Sequence, residues 1–188
     1  MIFKIFIKSI LSTEVLLKNP FLGQKMKIKF LGATQEVTGS QTLITINEKK
    51  ILIDCGLYQG NKVNSYLKNK SFKFDPSTID YVILSHAHID HSGNLPNLVK
   101  KGFRGSIYAT QATIDLCKIM LMDSAHLQKK EVELLNKIRK KQKLEPFEVI
   151  YNEEDVSQVL CQLIPVEYNN LIALTQNVKF KFIDAGHI

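Results

Sequence analysis

Three of the five histidines in this 188-residue chain fall in one short run, Ser85-His86-Ala87-His88-Ile89-Asp90-His91-Ser92-Gly93. The run follows directly on the apolar stretch 79–84, which reads as a buried strand. A chain that leaves a buried strand and at once presents imidazole and carboxylate groups is constrained to place them at a strand end of a layered fold. In an extended or turning segment, side chains at i and i+2 point the same way, so His86 and His88 can grip one ion together. Asp90 and His91 lie further round the turn and can face a second ion. Such donors suit zinc, and also manganese or iron, and two ions close together support hydrolytic chemistry. A structural zinc would more often have four closed ligands rich in Cys. Cys55, Cys117 and Cys161 lie far from the run and from one another. They read as reduced thiols of a cytoplasmic protein.

The remaining pattern predicts an α/β chain. The alternation in 26–31 reads as a first half-buried strand, and 41–46 with 49–54 as a hairpin bent at Asn47-Glu48. Residues 57–78 read as polar and irregular. A short helix over 91–101 closed by Gly102, a strand over 106–109 and a long helical stretch over 110–143 follow. Within that stretch Ile114, Cys117 and Leu121 form one apolar stripe, and Val132, Leu135 and Ile138 another. A further helix is expected over 153–163, and strands over 171–175 and 178–183.

Composition enters through the charge. With 45% hydrophobic and 23% charged residues, the chain reads as folded and soluble rather than disordered or membrane-spanning. The net charge of +7 is confined to 1–25 and 129–145, and the rest sums to zero. A basic stretch such as 129–145 is ordinarily a solvated helix face. Its Lys137, Arg139, Lys140 and Lys141 are candidates for phosphate contacts, but no base-reading motif accompanies them. The opening 1–25 lacks both an uncharged run long enough for a bilayer and a small-residue cleavage site. It is expected to be a leader outside the domain, with no membrane partner.

The sequence resembles the metallo-β-lactamase superfamily, whose signature is this H-x-H-x-D-H loop, and within it the β-CASP ribonucleases. The narrower resemblance rests on Leu31-Gly32-Ala33 with Glu36-Val37-Thr38-Gly39-Ser40, on Ile53-Asp54-Cys55-Gly56-Leu57-Tyr58-Gln59-Gly60, on the histidine run, on Asp123-Ser124-Ala125 and on Asp184-Ala185-Gly186-His187-Ile188. It implies the first half of an αββα sandwich, ending before the β-CASP insertion, with 26–188 as the amino-terminal part of the domain. By the same resemblance His86, His88 and His187 ligate one zinc, and Asp90 and His91 serve a second. Asp90 is also implied in water activation, and Asp54 supports the loop by hydrogen bonding. Read from their neighbours alone, Asp54 is also a turn or cap aspartate and His187 a tail residue.

The family's metal-bridging aspartate, its late histidine and its RNA-clamping insertion do not occur in this sequence. The second zinc therefore keeps only Asp90 and His91, and the expected activity is impaired. The implied function is zinc-dependent cleavage of RNA phosphodiester bonds by metal-activated water, with RNA as partner of the full-length family member. Two alternatives stand beside it: a small-molecule hydrolase of lactamase or glyoxalase type, and a non-catalytic fragment or a remnant that forms a homodimer.

Overall fold

Asn47 and Glu48 both take positive φ, 48° and 69°. This is the backbone of a two-residue hairpin turn, whose twist matches the strands it joins. They connect β3 (Thr42–Ile46) to β4 (Lys49–Ile53), with Thr42 opposite Ile53 and Ile46 opposite Lys49. β2 (Lys25–Phe30) pairs antiparallel with β3, and β1 (Glu14–Lys18) antiparallel with β2. Beyond β4 the strands β5 (Tyr81–Ile83), β6 (Ser106–Ala109) and β7 (Leu163–Pro165) add in parallel, completing a seven-stranded sheet in chain order. The computed structural model describes residues 14–18 and 25–187. Five residues of the expected leader therefore form β1, and Lys25 begins β2. The rest of that leader, 1–13 and 19–24, lies outside the described residues, as does Ile188.

Parallel neighbours require crossovers, and these supply the helices. They are α1 (Lys62–Lys70), α2 (Ile89–Ser92), α3 (Leu95–Lys100), α4 (Gln111–Lys141) and α5 (Glu153–Gln162). Leu43, Leu52, Val82 and Ile107 stand side by side in register across four strands. They join Leu84, Leu95, Leu98, Phe103, Leu121 and Tyr151 in the main core beneath the helices. The alternate residues Ile51, Ile53, Tyr81, Ile83 and Tyr108 point to the opposite face, as the period of two requires. There a hairpin of β8 (Ile172–Ala173) and β9 (Lys179–Phe180) packs on them through Leu174, Val178 and Phe180, beginning a second β layer. Helices on one face and strands on the other make the α/β architecture expected from the sequence.

Four details differ from the sequence reading. Residues 62–70, expected to be irregular, form α1, capped by the Asn61 side chain accepting from Asn64 N. Its sequence has few apolar residues, and its anchorage is polar. Buried Asn69 accepts from Tyr58 N at 2.8 Å and donates to Tyr58 O at 2.9 Å. The expected helix over 91–101 is two helices, α2 and α3, parted at Gly93-Asn94. β7 went unread because it is three residues long and contains Pro165, which only the sheet edge tolerates. Ile138, assigned to an apolar stripe with Val132 and Leu135, is exposed on α4.

Candidate metal centre

The site is assembled where β4 and β5 end. Asp54 follows β4 with φ of +59°, a left-handed conformation that Asp adopts more readily than most residues. The chain then docks against the histidine run through its backbone. Cys55 N donates to His91 O at 2.7 Å, Asn94 N to Cys55 O at 2.8 Å, and Leu57 N to Ile89 O at 3.0 Å. Between them Gly56 lies so close to the Asp90 carbonyl that a Cβ would sit 1.6 Å from its oxygen. Gly56→Ala is therefore expected to push the Asp90 backbone aside and to destabilise the fold by about 3 kcal/mol, as overpacking of a rigid contact does. Denaturant unfolding measures it, and a change within experimental error would count against this packing.

Asp54 is buried, and its carboxylate gathers the loop. It accepts from Ser85 N at 2.8 Å, from Ser85 Oγ at 2.9 Å and from His91 Nδ1 at 2.8 Å, with Ser40 Oγ at 3.4 Å. The Ser92 hydroxyl donates to Ala87 O at 2.7 Å, tightening the turn that carries His86 and His88. The sequence had singled out Asp54 but neither Ser85 nor Ser40. Their hydroxyls give no periodic signal, and each was named only as a member of a segment, Ser85 at the start of the histidine run and Ser40 at the end of Glu36-Val37-Thr38-Gly39-Ser40.

His86 Nε2 and His88 Nδ1 lie 3.1 Å apart. His187 arrives from the far end of the described chain, its ring centroid 4.9 Å from that of His86 and 5.3 Å from that of His88. A tight turn delivers it, in which Gly186 takes φ of +72° and donates its N–H to Asp184 Oδ1 at 2.8 Å. One nitrogen from each of the three rings lies within 4.8 Å of the other two. Two nitrogens on one tetrahedral zinc would stand ~3.3 Å apart, so His86 and His88 already have ligand spacing and His187 needs only a small approach. Three imidazoles are a zinc-type donor set, and the group can hold a metal.

His91 lies beside this group, its ring 4.1 Å from that of His86 and its Nε2 3.7 Å from Asp90 Oδ2. Burial first, and then the neighbouring His91, hold His86 below the ordinary imidazole range. That favours the neutral form, which binds metals. His91 is moved the other way, chiefly by its hydrogen bond to Asp54.

Other expected residues are elsewhere. Lys137, Lys140 and Lys141 are exposed near the end of α4. Arg139 is committed locally, its guanidinium 4.1 Å above the Phe147 ring and its Nε donating to Glu145 O. Among the described residues, no helix is long and apolar enough to cross a membrane.

Residues 35–150 match the model of the metallo-beta-lactamase superfamily. The chain belongs to that superfamily. The matched residues include the hairpin, the histidine run and α4, and so His86, His88, Asp90 and His91, while His187 lies beyond them. Among curated proteins the chain is 37% identical over 163 residues to a ribonuclease of Thermus thermophilus, covering 87% of this chain and 33% of the relative. It is 28% identical to transcription termination factor FttA of Methanocaldococcus jannaschii, covering 87% of this chain and 24% of that one. It is likewise 28% identical to cleavage and polyadenylation specificity factor subunit 3-I of Arabidopsis thaliana, covering 88% of this chain and 22% of that one. The chain thus spans a third or less of the length of these relatives, which agree with the β-CASP resemblance read from the motifs.

Proposed function

We propose that the chain carries the first part of a zinc-dependent active site that hydrolyses RNA phosphodiester bonds. The observation that supports this reading best is the convergence of His86, His88 and His187 beside Asp90 and His91. The RNA substrate class comes from the relatives, whose names include a ribonuclease and a cleavage factor. On this reading His86, His88 and His187 hold one zinc, Asp90 and His91 are the donors available to a second, and the sheet from β1 onward belongs to the amino-terminal section of the catalytic domain. Zinc bound there would polarise a phosphoryl oxygen and make water a stronger acid.

The chain's own residues contribute orientation and proton transfer. Asp54 holds the His91 ring through Nδ1, leaving Nε2 turned toward Asp90. The Asp90 carboxylate stays partly open to solvent and can take the proton of an attacking water. Its backbone is fixed at the same time, because Asp90 O accepts from Ser40 N at 2.8 Å. Exposed Lys137, Lys140 and Lys141 would add sequence-independent attraction for a phosphate backbone.

The test is a parallel assay of the zinc-loaded chain on end-labelled single-stranded RNA, a chromogenic lactam and a glutathione thioester. Weak, chelator-sensitive cleavage of RNA alone is expected, falling by about 100-fold or more in Asp90→Asn, the usual scale for a lost general base. Turnover of the lactam or thioester with RNA left intact would replace this reading with a small-molecule hydrolase.

A further inference from the structure

The hydrogen bonds around Asp54 contain a constraint that reaches past Asp54 itself. A carboxylate has acceptor sites only, so every group bonded to it must donate. The Ser85 hydroxyl has one proton, and it stands 2.9 Å from Asp54 Oδ2 and 2.9 Å from His86 Nδ1. If that proton points to Asp54, the hydroxyl oxygen can only accept from His86, whose proton must then be on Nδ1. Nε2 of His86 is left with its lone pair, and it is Nε2 that lies 3.1 Å from His88 Nδ1 in the three-histidine group. His91 is bound by the same carboxylate directly, Nδ1 to Oδ2 at 2.8 Å, which places a proton on Nδ1 and, in the neutral ring, leaves the lone pair on the Nε2 facing Asp90. The approach of Ser85 Oγ to His91 Nδ1, at 3.5 Å, is longer than the Asp54 contact and does not compete with it.

We propose that Ser85 is a positioning residue: its hydroxyl relays the Asp54 carboxylate to His86, so that one buried acid sets the ring tautomer of both His86 and His91. The two histidines belong to different halves of the site, and the relay presents Nε2 of each to the side where a metal would sit. A histidine with the opposite tautomer would have to exchange its proton before ligating. The backbone bond from Ser85 N to Asp54 Oδ1 at 2.8 Å keeps the hydroxyl in place, so the relay costs little further ordering. The metal side of this inference rests on the three-histidine reading above, whereas the tautomer side concerns the metal-free protein and stands apart from it.

The experiment uses the whole 188-residue chain, labelled with ¹⁵N-histidine, without metal and at mildly alkaline pH, so that His91, whose charged form Asp54 favours, is neutral as well. Two-dimensional ring correlation spectra report which nitrogen carries the proton. Both His86 and His91 are expected in the Nδ1–H form in the wild type. In Ser85→Ala, His86 should move largely to Nε2–H while His91 keeps Nδ1–H, and Ser85→Thr should restore His86. Zinc titration against a chromogenic chelator should show an affinity lower by about 10- to 100-fold in Ser85→Ala and recovered in Ser85→Thr, the usual scale for lost support of a ligand. An Nε2–H tautomer at His86 in the wild type, or an unchanged His86 in Ser85→Ala, would overturn the proposal. If Ser85→Ala does not fold, the wild-type and Ser85→Thr spectra still decide it. If wild-type chain binds no zinc while the tautomers behave as expected, the metal reading fails and the relay stands.

Discussion

Adding zinc to the metal-free chain is expected to raise its thermal midpoint by roughly 5–10 °C, and His86→Ala should abolish that rise. Three nitrogens that converge only in the folded chain bind the ion in the native state far better than in the unfolded one. Ligand present at a hundred times its dissociation constant stabilises by about 2.7 kcal/mol. For a chain of this size one kcal/mol moves the midpoint by roughly 2–4 °C. His86→Ala removes the ring at the centre of the group, which contacts His88, His91 and His187. Thermal unfolding followed by circular dichroism, with and without a chelator, measures the effect. A midpoint indifferent to zinc in the wild type would show that the three rings do not act as a site.

Asp54→Ala is expected to destabilise the metal-free fold by about 2–4 kcal/mol, because it strips acceptors from Ser85 N, Ser85 Oγ and His91 Nδ1 together. It also leaves Ala at φ of +59°, where a side chain with no local hydrogen bond is strained. Asp54→Asn separates the two causes. Asn tolerates the left-handed backbone and matches the shape, yet presents a donor in place of one acceptor oxygen. If backbone strain dominates, Asn should restore nearly all the stability. If the acceptors dominate, Asn should stay within about 1 kcal/mol of Ala, the scale of one net hydrogen bond. Urea unfolding of the three proteins decides between them. Wild-type stability in Asp54→Ala would remove Asp54 from the structural account altogether.

Much of this was legible in the sequence where interactions are local. The alternation in 26–31, the Asn47-Glu48 turn and the run His86-Ala87-His88-Ile89-Asp90-His91 each carry their structural meaning within a few residues, through the two-residue period or the turn backbone. Four matters had no signal in the residues themselves, the first two being implied only by the family resemblance, and the tertiary structure decided them. It brought His187 to His86 and His88 across nearly a hundred residues, and it turned Asp54 toward Ser85 and His91. It also held α1 through the Asn69 bonds, and gave β7 a partner in β6. Each depends on a contact between distant parts of the chain, and a contact leaves no period in the sequence. The donor types and the local turn of the site were therefore written in one short segment, while the pairing that makes them a site belongs to the fold.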